Sequence, residues 1–435
     1  MAVKLRRTIG LPQLILYGVS SMVGAGIYSV IGVAAGMAGT HLWLSFILAA
    51  IAAFIAVLSY TELSARFPKT GAEYQYLKKA FPELKALAFL GGYLVILNAA
   101  TTAATVSVAF GGYLNHFMEM PIPAVAFGLL LVCTLINIVG IRESTWASTI
   151  MAMLEVGGLF LLIGIGLNSV LGTGLSTPTF DTLPKLSDMN GVFSATALIF
   201  FVYIGFEAIV DLSEETREPK RIVPLALLIS VIFTAVIYIL VAFSVLAIST
   251  PAQLSASTSP LTTAVESAAP WAGPVLAIAA LFATASTALI SMVGVSRVLY
   301  GMARDGEMPS VLAKLLPKQQ TPWAAALTLF FISCLFLPLG EVKILASVSS
   351  LGVLLLFVAV QAAVIRLRFT NPEVSGTFYI PFAIGKVPVI PVIGIVICIG
   401  LMTLYEPLVY AITAAVILAG GVVFVLHNHY SRPTA

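Results

Sequence analysis

Two short stretches, Val23-Gly24-Ala25-Gly26-Ile27-Tyr28 and Phe201-Val202-Tyr203-Ile204-Gly205-Phe206, decide how this chain folds. Each lies midway along an apolar run long enough to cross a ~30 Å hydrocarbon core as a helix. Glycine weakens a helix interior by ~1 kcal/mol, and at membrane depth an interrupted ladder leaves peptide groups that need partners inside the protein. Both stretches therefore read as breaks between helical halves. Glycines that merely let helices pack closely are the plainer alternative. The breaks fall in the first and sixth apolar runs, and such matched placement in two halves of a chain points to a transporter site at the bilayer midplane.

The rest of the sequence agrees with a bilayer as solvent. Of 435 residues, 60% are hydrophobic and 9% charged, against about 25% charged in a soluble domain. The expected architecture is all-α with twelve transmembrane helices: Leu11–Met37, Leu42–Arg66, Lys85–Asn115, Ile122–Val139, Ser144–Leu171, Val192–Leu212, Ile222–Ile248, Trp271–Ala303, Pro322–Leu339, Val342–Arg368, Val387–Leu404 and Pro407–Val425. Gly71–Ala80 reads as an amphipathic surface helix, and Pro251–Ala269 as a partly helical outer loop. With the N-terminus in the cytoplasm, 22 Lys and Arg residues distribute so that only Lys185 and Lys343 fall outside. That bias obeys the positive-inside rule and places both termini inside the cytoplasmic membrane. The basic start (Lys4, Arg6, Arg7) lacks a cleavage site at signal-peptide distance, so the first run reads as a retained span. Cys133, Cys334 and Cys398 lie far apart in apolar runs and read as core residues. His427 and His429 lack a third ligand nearby, so no metal is expected.

Four stretches carry more than composition. They are Gly24-Ala25-Gly26-Ile27-Tyr28; Ser59 to Tyr74, with Thr61-Glu62-Leu63-Ser64-Ala65-Arg66-Phe67-Pro68-Lys69-Thr70-Gly71 at its heart; Tyr203-Ile204-Gly205-Phe206-Glu207 followed by Glu214 to Pro224; and Ser296 to Pro309. In this order and spacing the chain resembles the amino acid–polyamine–organocation superfamily, nearest the bacterial permeases of the cationic amino acid transporter branch. The resemblance implies a LeuT-type inverted five-plus-five repeat (10–171 and 191–369) with discontinuous helices 1 and 6. Two added helices (387–425) and a cytoplasmic tail (426–435) complete a single domain. It also implies alternating access around helices 1 and 6.

The backbone chemistry suits a zwitterion. Unwinding the first run exposes N–H groups at Val23, Gly24, Ala25, Gly26 and Ile27, which suit a carboxylate. Carbonyls at Ser20, Ser21, Phe200, Phe201 and Tyr203 suit an ammonium, and Gly205 permits the second break. The resemblance places an aromatic, Phe201 or Tyr203, as a lid; ordinary packing is the alternative. Glu155, deep in the fifth run, costs roughly 2.5–3.5 kcal/mol to insert and must face a cavity or a partner. Many relatives carry lysine there, thought to stand in for a sodium ion, so Glu155 departs from the pattern. It reads as a proton-coupling carboxyl, or else as a structural hydrogen-bonding group. Glu62, Arg66, Glu207, Glu215 and Arg304, with Glu214, Arg217 and Asp305, read as gating or structural charges, or as solvated topology determinants. Asn98, Thr101, Thr102, Ser286, Thr287, Ser347, Ser349 and Ser350 read as cavity polars or helix-packing residues.

These features point to a permease for amino acids, by proton symport or by exchange of amino acids or polyamines. The partners are the substrate, a proton and the lipid bilayer, with assembly as a monomer or homodimer and no cofactor. Enzyme motifs are missing from the sequence, no stretch could form a nucleotide-hydrolysing domain, and no basic cluster suits nucleic acid. A channel or an amino-acid-binding sensor is the competing class.

Overall fold

The computed structural model describes residues 9–69, 72–139, 144–173, 185–213, 215–317, 319, 321–370 and 378–430. Several residues singled out in the sequence, among them Thr70, Gly71, Arg142 and Glu214, lie outside these, as do the side chains of His427 and His429.

Among the described residues nine segments are long and apolar enough to cross a membrane, and Trp323–Leu339 and Val389–Met402 are shorter apolar helices. One of the nine, the 56-residue segment Leu11–Arg66, folds as three helices. α1 (Leu11–Val23) and α2 (Ala25–Ala38) meet at Gly24, and a 3₁₀ turn at Gly39–His41 precedes α3 (Leu42–Arg66). A short helix, α4 (Ala72–Ala80), leads to α5 (Lys85–Leu114), α6 (Ile122–Val139) and α7 (Ser144–Thr173). α8 (Met189–Ile199) runs into a 3₁₀ segment, Phe200–Tyr203, and resumes as α9 (Glu207–Asp211). α10 (Pro219–Ile248) opens with proline at its first turn, where a missing N–H costs nothing. The connection α11 (Pro251–Ala256) and α12 (Pro260–Ala268) then leads to α13 (Gly273–Arg304), α14 (Trp323–Phe336) and α15 (Val342–Thr370). α16 (Val389–Met402) and α17 (Pro407–Tyr430) follow a two-residue hairpin in which Ala383 pairs with Pro388 and Ile384 with Val387. That hairpin is the one sheet among the described residues, beside an isolated parallel bridge of Ile9 with Thr216, and the sequence reading did not foresee it.

The packing puts the interrupted helices inside. α10 packs along α3 and α1, α13 along α5 and α7, and α2 along α8. Ala49, Ala52, Ala53 and Ala56 form the buried stripe of α3; small side chains let helices approach closely where lipid removes the usual hydrophobic drive. Large apolar side chains point outward instead, as on α6 (Leu131, Val132, Leu135) and α10 (Ile232, Phe233, Val236). Such an exterior suits acyl chains and would be a liability in water.

α4 is held by a buried carboxyl. Glu73 accepts a hydrogen bond from the Tyr60 hydroxyl of α3 at 3.0 Å, and the Tyr60 and Tyr76 rings meet edge to face at 6.3 Å. Burial pushes the Glu73 carboxyl up to about 8, with Asp211 and Glu207 of α9 adding to the rise. On the other flanks of α4, Arg366 pairs with Glu83 and Arg368 with Glu62, so those cations are engaged elsewhere. The folded protein thus holds a proton that the unfolded chain releases near the ordinary value of 4.5. This contribution to stability is complete below that value and is lost as pH rises toward 8. Glu73→Gln should therefore melt with the wild type at about pH 5 and several kelvin above it at about pH 9. Equal melting temperatures at both values would show that Glu73 does not carry this proton.

Candidate substrate site

At Gly24 the backbone turns away from the helix (φ −52°, ψ −152°), and the α1 ladder ends at Val23. Ala25 then opens α2, and its N–H donates to the Thr287 hydroxyl of α13 at 2.9 Å. A Cβ on Gly24 would stand 2.2 Å from that same oxygen, so glycine is what allows Thr287 to reach the helix end. Only the first of the N–H groups that a helix start leaves without intrahelical partners is capped in this way.

The second break is built differently. α8 tightens into the 3₁₀ turn Phe200–Tyr203, Ile204 is extended, and Gly205 takes φ +122°, a conformation that L side chains rarely adopt. The Gly205 N–H donates to the Glu207 carboxylate at 2.9 Å. Glu207 thus closes the turn that its own helix begins. A Cβ on Gly205 would lie 2.7 Å from the Ser21 carbonyl oxygen, which places the second break directly against the end of α1.

One hydroxyl joins the two breaks. Tyr238 of α10 lies within hydrogen-bonding reach of the carbonyl oxygens of Met22, at the end of α1, and Val202, in the 3₁₀ turn, the latter at 3.2 Å. Its single proton is shared between two carbonyls that the interrupted ladders leave open. Tyr203 in turn donates to the Phe46 carbonyl of α3 at 3.2 Å. Sequence reading missed Tyr238; its one signal was a hydroxyl-bearing ring set between Ile237 and Ile239.

The predicted site residues gather here. Val23, Ala25, Ile27, Phe200, Phe201 and Tyr203 are buried, whereas Ser20, Ser21, Gly26 and Gly205 keep some accessible surface, as does Thr287. Phe200 packs edge to face on Phe357 of α15.

Glu155 is buried on α7. Its carboxylate accepts a hydrogen bond from the Ser286 hydroxyl of α13, and its backbone carbonyl accepts one from the Tyr28 hydroxyl of α2 at 2.7 Å. Ser286 and Thr287 are neighbours, so adjacent side chains of α13 hold Glu155 and the start of α2. Tyr113 of α5 donates to the Tyr28 carbonyl at 2.9 Å and completes this chain of contacts. On α5, Asn98 and Thr102 meet Ser349 of α15, with Thr102 and Ser349 hydroxyls 3.2 Å apart.

The predicted charge cluster divides. Glu62 is fully buried and accepts from Arg66 at 3.4 Å, from Arg368 Nε at 3.0 Å and from the Ile380 N–H at 3.0 Å. Arg368 was not foreseen as its partner. Glu215 acts through its backbone: its carbonyl accepts from the Ile9 N–H at 3.1 Å, and Arg217 N–H returns to the Ile9 carbonyl at 3.0 Å. Arg304 stands apart, 68% exposed, with Asp305 at 3.8 Å.

Comparison with known proteins extends this picture. The sequence pattern of the amino acid permease family matches residues 9–426. The branched-chain amino acid permease BcaP of Bacillus subtilis is 30% identical over 420 residues, which span 92% of this chain and 88% of that protein. The methylthioribose transporter of Bacillus subtilis is 28% identical, over 98% of this chain and 94% of its own. Cationic amino acid transporter 4 of Mus musculus is 31% identical over 85% of this chain and 61% of its own. The chain is a multi-pass membrane protein that belongs to the amino acid permease family, within the amino acid–polyamine–organocation superfamily.

Proposed function

We propose that this permease carries an α-amino acid across the cytoplasmic membrane by alternating access around the two helix breaks. Counting α1–α2 and α3 as separate crossings, and the two shorter apolar helices as crossings, gives twelve spans. Helices through α15 then form a LeuT-type inverted five-plus-five repeat, 10–171 and 191–369, and α16 and α17 are additions. Both termini are cytoplasmic on the positive-inside bias.

The observation that carries this reading is the contact between the breaks: Gly205 against the Ser21 carbonyl, and Tyr238 between Met22 and Val202. A substrate that enters this junction meets helix-start N–H groups on one side and open carbonyls on the other. The N–H groups of Gly26 and Ile27 take the carboxylate, with the helix dipole in favour. Carbonyls of Ser20, Ser21 and the 3₁₀ turn take the ammonium, and Phe201 covers the ligand. No side-chain charge is required, so both charges of a zwitterion are met by backbone alone.

Coupling is assigned to Glu155. A carboxyl in the bilayer region, bonded to the Ser286 hydroxyl and linked through Tyr28 to α2, can report its protonation to the first break. Glu62, with Arg66 and Arg368, ties the ends of α3 and α15 on the cytoplasmic side and opens when the site faces inward.

Two outcomes test this reading in proteoliposomes. L-leucine should compete for uptake of a transported amino acid at least about tenfold better than leucinamide, which keeps the ammonium and loses the carboxylate. Equal competition would remove the carboxylate from recognition. Glu155→Gln should retain exchange of labelled for unlabelled amino acid while losing uptake driven by a pH gradient. A variant whose pH-driven uptake is intact would exclude Glu155 as the coupling group.

A further inference from the structure

A polar cavity lies away from the breaks. A cavity of about 140 Å³ opens between α8, the start of α15 and the turn that joins α16 to α17. Its lining includes Ser194 and Leu198 of α8, Ile344 and Ser347 of α15, and the ion pair of Lys343 with Glu406. Along the axis of α8, Ser194 stands about 9 Å from Phe200, where the helix breaks. Lys343 is one of the two basic residues that the charge bias leaves on the outer face. The cavity therefore sits on the outer side of the proposed central site and shares two of its helices.

Three features make this a site for a ligand rather than a packing defect. First, Ser194, which is half-buried, and Ser347 line the cavity with hydroxyls that make no hydrogen bond to any described residue and so are available to a ligand. Second, the ion pair is exposed, 37% at Lys343 and 54% at Glu406, and a pair of that kind adds little to stability. Its two halves can separate at small cost. Third, the wall that carries Glu406 is fixed in place: the neighbouring Tyr405 hydroxyl donates to the Ala197 carbonyl of α8 at 2.8 Å. The remaining lining, including Leu198, Ile344, Leu404 and Val409, is apolar. A cavity near 150 Å³ is large enough to hold a benzene-sized group.

We propose that this cavity is a second amino-acid site, in which a neutral α-amino acid exchanges the Lys343–Glu406 pair for contacts of its own. Its carboxylate takes the Lys343 ammonium, its ammonium takes the Glu406 carboxylate, and the hydroxyls of Ser194 and Ser347 complete the polar shell. The side chain lies on the apolar wall. One lysine and one glutamate satisfy one carboxylate and one ammonium and leave nothing for a further charge, so neutral amino acids are preferred over cationic ones. Glu406 comes from the turn between the two C-terminal helices, which gives this pair of helices a part in substrate capture. The proposal rests on the amino-acid reading above, as an outer station from which substrate passes to the breaks.

The test is equilibrium binding of radiolabelled L-leucine, L-alanine and L-lysine to the full purified chain and to the double variant K343M/E406Q, which removes both charges and strands neither. The wild type should bind two molecules of a neutral amino acid and the double variant one, with the remaining molecule showing that the variant is folded. Transport by the variant should need about tenfold more substrate for half-maximal rate. The same number of molecules bound with the same affinity in both proteins would overturn the outer site and leave the central one standing. Binding of none of the three by the wild type would defeat both.

Discussion

A peptide group with no partner in the hydrocarbon region costs several kcal/mol, and this chain opens its helices at two places. Each opening is answered by side chains, one of them local and two from other helices. Thr287 caps the Ala25 N–H, Glu207 caps the Gly205 N–H, and Tyr238 lies between the Met22 and Val202 carbonyls. The last is the constraint on which the others depend, because one hydroxyl serves both breaks and so fixes them against each other. α10, which carries Tyr238, also packs along α1 and α3, so the helix that holds the junction is itself anchored on both sides.

The two ends of this framework use charge rather than backbone. Glu62 is buried with three donors around it, two guanidinium groups and the Ile380 N–H. Breaking such a pair by removing one partner is far more costly than breaking an exposed one, so this contact suits an end that must stay shut between events. Lys343 and Glu406 are exposed and lightly held, which suits an end that trades its partners with a solute.

Much of this was legible in the sequence. The apolar runs fixed the helices to within a few residues: Leu42–Arg66 and Ile122–Val139 have the bounds expected, and α7 and α15 run only two residues further. Gly24 and Gly205 marked the breaks because glycine weakens a helix interior, and the structure sets Thr287 close against one and gives the other φ +122°. Partnerships over long sequence distances were not legible. Tyr238 reads as one of 14 tyrosines in an apolar run, and its role exists only where α10 crosses two other helices. Glu155 and Ser286 were each singled out, yet their pairing across 131 residues has no periodic signal. Arg304, grouped with Glu62 by its place at a helix end, sits on the exposed end of α13, whereas the unforeseen Arg368 reaches Glu62 because α15 ends beside α3.

The central claim is that the two breaks jointly grip a zwitterion by their backbones. A structure of the full chain determined by electron cryomicroscopy with saturating amino acid tests it most directly. The account predicts ligand density in the junction, with its carboxylate on the N–H groups of Gly26 and Ile27 and its ammonium toward the carbonyls of the 3₁₀ turn at Phe200–Tyr203. A ligand bound elsewhere with this junction unfilled, or helices running unbroken through Gly24 and Gly205, would contradict it.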